Sequence, residues 1–139
     1  MLKPKILIID VDGVMTTGHF IYSAIGKLYK IFGPHDTDGL NLLKKKIKIL
    51  FLTADKRGFK ISKKRIKDDL GYQIKYSHHD LRYNLIKKFG FKNVIYIGDG
   101  INDAPILKKV KLNKQKLFFQ SMPNLLRHQP YCFQQHQHL

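Results

Sequence analysis

Cysteine, acidic residues and long apolar runs are all scarce in this sequence. The single cysteine, Cys132, cannot form a disulfide within the chain, and nothing indicates an exported, cross-linked domain. The apolar run near the start covers only residues 6–9 before Asp10 interrupts it. Such a run is too short for the core of a signal peptide or for a membrane span. We therefore expect a cytoplasmic protein without a membrane segment.

The shortage of acidic residues leaves a large positive charge. Ten aspartates and glutamates stand against 26 lysines and arginines, which gives a formal net charge of +16. This excess attracts anions such as phosphorylated metabolites, acidic sugars, nucleic acid or membrane headgroups, and charge by itself does not choose among them. The 139 residues, 43% of them apolar, suffice for one domain with a buried core.

Apolar runs separated by helix-forming segments predict the fold class. The predicted strands cover residues 6–9, 47–52, 74–76 and 94–97, and the predicted helices cover about 36–46, 57–70, 80–89 and 106–110. Strands that alternate with helices form a parallel sheet, so the class is α/β with helices on both faces. Residues 18–32 instead alternate around a glycine turn, which predicts a β-hairpin directly after the first strand.

Polar residues follow three of the predicted strands. Asp10 and Asp12 end the first, Thr53 ends the second, and Asp99 with Asp103 follows the last. These ends share one edge of a parallel sheet, where open α/β folds bind ligands. Carboxylates held together repel one another unless a cation joins them, and Mg²⁺ favours carboxylates combined with phosphate oxygens. For any one of these acids, capping of the following helix is the alternative.

The motifs at these strand ends resemble those of the haloacid-dehalogenase (HAD) phosphohydrolase superfamily. The first is DVDGV at 10–14, the second is LT at 52–53, and the fourth is GDGIND at 98–103. The longer stretches at 10–18, 32–40 and 53–58 resemble the capless phosphatases of the 3-deoxy-manno-octulosonate 8-phosphate and acylneuraminate 9-phosphate type. The resemblance implies a three-layer, Rossmann-like HAD fold with a hairpin flap and no large cap. Three motifs in order form a specific signal.

The resemblance also implies a reaction mechanism. Asp10 would attack phosphorus and form an aspartyl-phosphate, which splits hydrolysis into two displacements. Asp12 would protonate the leaving alkoxide and then help to deprotonate water. Thr53 would donate a hydrogen bond to the phosphoryl group, and the Gly13 backbone would approach it closely.

A magnesium site is implied in the same way. Asp10, the main-chain carbonyl of Asp12 and Asp99 would hold Mg²⁺, and Asp103 would orient the shell around it.

The third motif departs from the family pattern, which places a lysine before the fourth motif. The corresponding stretch, SHHDLRY at 77–83, contains no lysine. Arg82 is the best substitute, because a guanidinium can hold phosphate through two hydrogen bonds. Lys75 and Lys87 are alternatives, and Arg82 as a solvated helix residue is another.

Substrate contacts are implied for Gly13, Thr16, Lys56 and Arg57, although surface placement of Lys56 and Arg57 is an equal alternative. The resemblance implies a small phosphorylated sugar acid as substrate, no nucleic acid or membrane partner, and a homo-oligomer, by analogy a tetramer.

Two regions are expected along the chain. Residues 1–110 form the HAD-like catalytic core, with the hairpin flap at about 18–32. Residues 111–139 form an atypical tail rich in glutamine and histidine, where the family pattern stops. This break and the missing lysine leave a catalytically impaired HAD-like protein as one alternative. A basic, non-enzymatic binder of anions or nucleic acid is the other, although no nucleic-acid-binding motif accompanies the charge.

Overall fold

The computed structural model describes residues 4–110. The predicted tail, residues 111–139, lies outside the described residues. These residues form six strands and four α-helices, whose bounds in chain order are β1 Ile6–Asp10, β2 Thr16–Ser23, β3 Gly26–Phe32, α1 Asp36–Leu43, β4 Lys48–Thr53, α2 Phe59–Lys63, β5 Gln73–Tyr76, α3 His79–Phe89, β6 Val94–Ile97 and α4 Ala104–Leu107; the count covers the described part of the chain. No helix among the described residues is long and apolar enough to cross a membrane.

Four strands form one parallel sheet in the order β5-β4-β1-β6. Strand β1 lies between β4 and β6, and its last residue, Asp10, pairs with Leu52 of β4. The carboxyl ends of β1, β4 and β6 therefore meet at one edge, as the strand pattern predicts. This order places Asp10, Thr53 and the loop after β6 side by side.

The side chains of β1 are divided between two apolar cores, because successive residues of a strand point to opposite faces. Ile6 and Ile8 pack on the face that α3 and α4 cover, where Ile86 and Ile106 are buried. Leu7 and Ile9 pack on the other face with Leu40 of α1 and Ile66. Helices cover both faces, and the predicted three-layer α/β fold is confirmed.

Strands β2 and β3 form a separate antiparallel hairpin between β1 and α1. Most of its large apolar side chains are exposed, including Tyr22 at 56%, Tyr29 at 62% and Ile25 at 92%. The side chain of Lys30, by contrast, points inward and has no exposed surface. The hairpin thus contacts the rest of the domain partly through a buried charge.

The basic helix predicted over residues 57–70 is interrupted. Helix α2 is followed by a π-helical turn at Lys64–Asp69, in which the N–H of Leu70 reaches the carbonyl of Arg65 at 3.2 Å. The wider turn carries one extra residue, so Ile66 is buried while Lys63 and Lys64 stay exposed. The residue types of this stretch are compatible with both an α-helix and a π-helical turn. The spacing of its apolar residues does not reveal the extra residue in the turn.

Two other predicted helices differ in their bounds. Helix α1 ends at Leu43 rather than near residue 46, and His35 occupies its N-cap position without a side-chain hydrogen bond. Asp36, the first residue of this helix, is buried, and burial raises the pKa of its carboxyl to about 6. The last helix, predicted over 106–110, covers Ala104–Leu107. A 3₁₀ turn at Ile101–Asp103 precedes it.

Two leucines of α1 offer a matched test of this packing. Leu40 is 1% exposed and Leu42 is 73% exposed. Leu40→Ala should lower the free energy of unfolding by about 2–5 kcal/mol, because it leaves a cavity in the core. Leu42→Ala should change it by about 0.5 kcal/mol or less. Urea denaturation measures both, and equal losses would contradict the assigned faces of the helix.

Candidate active site

Three aspartates converge at the carboxyl edge of the sheet. Asp10 is the last residue of β1, and Asp99 and Asp103 lie in the loop and 3₁₀ turn after β6. One carboxylate oxygen from each lies within 4.8 Å of the others. Residues that are 89 positions apart in the chain are thus brought close enough to share one cation.

Burial and mutual repulsion act on these carboxyls. Burial raises the pKa of Asp10 to about 7, Arg82 opposes this rise, and Asp103, Asp99 and Asp12 add to it. The pKa of Asp99 is raised by burial and then by Asp103. A cation bound beside Asp10 and Asp99 would therefore stabilise the ionised forms of both carboxyls.

Arg82 supplies one positive charge from α3. Its Nη2 lies 2.9 Å from Oδ1 of Asp10, and its Nη1 donates to Oδ1 of Asp103 at 2.8 Å. Arg82 is only 2% exposed, whereas Lys75 and Lys87 are exposed. Of the three candidates for the third motif, Arg82 is the one that contacts Asp10. The alternative that Arg82 is a solvated helix residue is wrong, because Arg82 is buried.

Tyr96 on β6 belongs to the same network, and sequence reasoning missed it. Its hydroxyl donates to Oδ1 of Asp103 at 2.6 Å and accepts from Nη1 of Arg82 at 3.1 Å. Tyr96 is completely buried. A tyrosine within an apolar strand two residues before the fourth motif was the available signal, because a buried hydroxyl requires a hydrogen-bond partner.

The side chain of Asp12 points to a different set of partners. Oγ1 of Thr53 donates to Oδ2 of Asp12 at 2.8 Å, and Nζ of Lys30 lies 2.6 Å from Oδ1. The carboxylate of Asp12 is therefore not one of the three clustered side chains, and Thr53 contacts Asp12. Asp12 remains partly exposed, so it can meet a molecule bound at this edge.

Two lysines of the hairpin meet Asp55 in the loop after β4. Lys27 forms a close ion pair with Oδ2 of Asp55, and Nζ of Lys30 lies 3.0 Å from the same oxygen. Lys30 also donates to Oγ of Ser62 at 2.8 Å. Oδ1 of Asp55 accepts the N–H of Gly58 at 3.0 Å. Sequence reasoning missed Lys27, Lys30 and Asp55, since these contacts join segments far apart in the chain.

The loop after β1 is shaped by Gly13 and Thr16. Gly13 has φ +92, and a Cβ atom there would lie 1.8 Å from Oδ2 of Asp99. Glycine is therefore required for this loop to approach Asp99. Oγ1 of Thr16 accepts the N–H groups of Gly13 and Gly18 at 3.1 and 3.2 Å, and Thr16 is buried. Thr16 thus holds the loop closed.

The remaining predicted contact residues, Lys56 and Arg57, lie after Thr53 and are both exposed. Their side chains are available to an anion in solution, and this exposure is compatible with both the predicted substrate contact and the surface placement.

The donor set of the cluster fits a divalent cation. Asp10, Asp99 and Asp103 offer hard oxygen ligands at one-ion spacing, and Gly13 leaves the space in which the Asp99 carboxylate lies. Oδ1 of Asp103 is already bonded to Tyr96 and Arg82, and Oδ2 accepts the N–H of Gly100 at 3.1 Å. Asp103 is therefore better placed to orient the site than to hold the ion.

The fold has counterparts among solved structures. The cobalt-bound deoxy-D-mannose-octulosonate 8-phosphate phosphatase of Haemophilus influenzae is 29% identical, with a TM-score of 0.59, over 76% of this chain and 64% of that one. The 3-deoxy-D-manno-octulosonate 8-phosphate phosphatase of Moraxella catarrhalis, in complex with magnesium, phosphate and KDO, is 28% identical, with a TM-score of 0.61, over 76% and 63%. A candidate HAD-superfamily hydrolase (subfamily III A) of Legionella pneumophila is 29% identical, with a TM-score of 0.62, over 77% and 61%.

These neighbours match the branch of the HAD superfamily that the motifs resemble. The resemblance is thus confirmed at the level of structural neighbours. The chain spans less than two thirds of the length of each of the three proteins. No family model matches the sequence.

The ion pairs of Asp55 predict a pH-dependent stability. Burial acts to raise its pKa, but hydrogen bonds from Lys27, Gly58 and Lys30 outweigh burial and lower the pKa from 3.8 to about 2. Because the pKa is lower in the folded state, the stabilisation is complete above the unfolded value and is lost as the pH falls towards 2. Wild type should therefore exceed Asp55→Asn in unfolding free energy near pH 6, and the gap should narrow near pH 3.

Urea denaturation at both pH values measures that gap. Asp69→Asn is the control, because Asp69 pairs with Lys64 at the surface, where both side chains are well exposed. A gap for Asp55→Asn that stays constant or widens on acidification would contradict the assignment.

Proposed function

We propose that this chain is a magnesium-dependent phosphomonoesterase that acts on a small acidic sugar phosphate through an aspartyl-phosphate on Asp10. The observation that carries the proposal is the position of Asp10. It ends the central strand β1, its carboxylate lies within one-ion distance of Asp99 and Asp103, and Arg82 contacts one of its oxygens. A nucleophile for phosphorus needs this combination of a fixed carboxylate and nearby positive charge.

Asp10 begins the reaction. A carboxylate oxygen of Asp10 attacks phosphorus, and the bond between phosphorus and the sugar oxygen breaks. Arg82 orients Asp10 through Oδ1 and so takes the place of the lysine that the family pattern puts before the fourth motif. The fixed geometry matters because reacting atoms must be held in line.

Asp12 moves the protons in both steps. It donates a proton to the departing sugar oxygen, and it then accepts a proton from the water that attacks the phosphoryl group on Asp10. This second displacement releases inorganic phosphate and restores the Asp10 carboxylate. Thr53 donates its hydroxyl hydrogen to Asp12 and so holds that side chain beside the site. Because a hydroxyl has one hydrogen, Thr53 would have to release Asp12 in order to donate to the phosphoryl group.

Asp10, Asp99 and the main-chain carbonyl of Asp12 would hold magnesium, with Asp103 supporting them. When bound, the ion neutralises phosphoryl oxygens and favours the ionised form of Asp10, whose pKa is otherwise raised. The magnesium in the Moraxella catarrhalis structure supports this choice of metal.

The substrate class follows from the neighbours and from charge. Two of the three neighbours are phosphatases of an acidic eight-carbon sugar phosphate. Lys56 and Arg57 are exposed just after Thr53, where they can bind the carboxylate of such a sugar, and Gly13 gives its phosphate access to backbone N–H groups. A net charge of +16 further favours an anionic substrate. We expect the reaction to take place in the cytoplasm.

Substitution of the nucleophile tests the proposed reaction. With Mg²⁺ and a panel of sugar phosphates, Asp10→Asn should lower phosphate release by at least about a thousandfold, because an amide does not attack phosphorus. Chelation of the metal should abolish release by wild type. Asp80→Asn is the matched control, since the Asp80 side chain lies on α3 and is 88% exposed.

Undiminished turnover by Asp10→Asn would eliminate the mechanism. A wild-type chain that folds but releases no phosphate from any member of the panel would favour the catalytically impaired alternative.

The exposed apolar hairpin supports assembly into a tetramer. Tyr22, Ile25 and Tyr29 form part of an apolar surface that is unusual for an isolated monomer. Light scattering should give about four times the 16.3 kDa chain mass, and Tyr22→Asp should reduce it. Leu81→Asp, on the exposed side of α3, should leave the mass unchanged. A monomeric wild type would contradict this prediction.

A further inference from the structure

Lys30 is the most deeply buried charge that the hairpin contributes to the domain. Its side chain has no exposed surface, and its Nζ reaches three partners on three separate segments. These partners are Oδ1 of Asp12 at 2.6 Å, Oδ2 of Asp55 at 3.0 Å and Oγ of Ser62 at 2.8 Å. The contacts with Asp12 and Asp55 are ion pairs, and the contact with Ser62 is a hydrogen bond that the ammonium donates.

A buried ammonium must be compensated, because removing an ion from water is costly. Lys27 and Lys30 both meet Asp55, so two ammonium groups share its single negative charge, and Asp12 supplies the second carboxylate. Lys27 shows that anchoring of the hairpin does not require Asp12, because Lys27 pairs with Asp55 alone and its ammonium packs over the ring of Phe20 at 3.5 Å. The contact of Lys30 with Asp12 therefore balances the second ammonium and ties the hairpin to the side chain of Asp12.

The two oxygens of Asp12 are held by different elements. Thr53 at the end of β4 binds Oδ2, and Lys30 on β3 binds Oδ1. Two contacts on one carboxylate define both the direction of the side chain and the rotation of its plane. Without Lys30, only the single hydrogen bond from Thr53 would orient a side chain that is partly exposed.

We propose that Lys30 is a positioning residue that orients the carboxylate of Asp12, and that through it the hairpin is part of the machinery for proton transfer. This inference rests on the proposed function, in which Asp12 exchanges protons with the leaving group and water. Lys30 touches neither the phosphorus nor the three clustered aspartates. Its effect should therefore fall on the proton-transfer step and leave the attack by Asp10 largely intact.

The leaving group separates these two steps. An alkyl phosphate leaves as a strongly basic alkoxide and needs the proton from Asp12, whereas p-nitrophenyl phosphate leaves as a stable phenolate and needs it little. Lys30→Met should lower kcat/KM for an alkyl sugar phosphate about 10–100-fold more than for p-nitrophenyl phosphate. A merely structural defect would lower both rates by the same factor.

Lys27→Met is the matched control. It removes an ammonium from the same hairpin and the same carboxylate, Asp55, without touching Asp12. The ratio of the two rates should remain that of wild type. Equal losses for both substrates in Lys30→Met, or the same change of ratio in Lys27→Met, would overturn the proposal.

Acylation of lysines tests the contact without any activity measurement. In wild-type protein treated with acetic anhydride, peptide mass spectrometry should show Lys30 labelled at least about tenfold more slowly than exposed Lys60 and Lys88, because a buried, ion-paired amine is a poor nucleophile. Asp12→Asn should raise labelling of Lys30 several-fold and leave Lys27 at its wild-type level.

The rate measurements and the lysine labelling distinguish failure of the proposed function from failure of the inference about Lys30. Wild type that releases no phosphate from either substrate would refute the proposed function, and the labelling would still decide whether Asp12 holds Lys30. Labelling of Lys30 at the rate of Lys60, or no change in Asp12→Asn, would overturn the inference even in an active enzyme.

Discussion

Repulsion among buried carboxylates is the constraint around which this site is organised. Asp10, Asp99 and Asp103 have oxygens within 4.8 Å of one another, and burial raises the pKa of Asp10 to about 7. Such a cluster persists only where positive charge is supplied at short range. Arg82 supplies one positive charge between Asp10 and Asp103, and a bound divalent cation would balance the remaining negative charge. The apolar cores on the two faces of the sheet hold these groups in place.

A second, separate charge network lies beside this cluster. Lys27 and Lys30 come from the hairpin and meet Asp55 and Asp12, which follow the central strands. The two networks approach each other at the loop after β1, since Asp10 belongs to one and Asp12 to the other. Positive charge reaches this loop from α3 on one side and from the hairpin on the other. Three of the 26 basic residues, Lys27, Lys30 and Arg82, take part in these two networks. Many of the other lysines, such as Lys63 and Lys88, are exposed.

Most of the fold could be predicted because its signals are local. The run at residues 6–9 is apolar on both faces, and β1 is buried on both faces. The polar residues at strand ends follow from the parallel arrangement. The π-helical turn at Lys64–Asp69 could not be predicted, because packing of Ile66 rather than local composition selects it. The burial of the Asp36 carboxyl could not be predicted either, since it depends on packing and not on the residues beside it.

The sequence by itself determined the order of the elements, the sheet edge that carries the aspartates and the place of Arg82 near the third motif. These features depend on residue types within a few positions of one another. Only the tertiary structure decided that Tyr96 binds Asp103 and Arg82, and that Lys30 reaches Asp12, Asp55 and Ser62. The contact of Tyr96 with Arg82 and the contacts of Lys30 with its three partners join residues that are 14 to 32 positions apart. The contacts of Lys30 also depend on the way the hairpin folds back over the sheet edge. No local pattern encodes such a pairing, because its stability comes from burial, which exists only after the chain has packed.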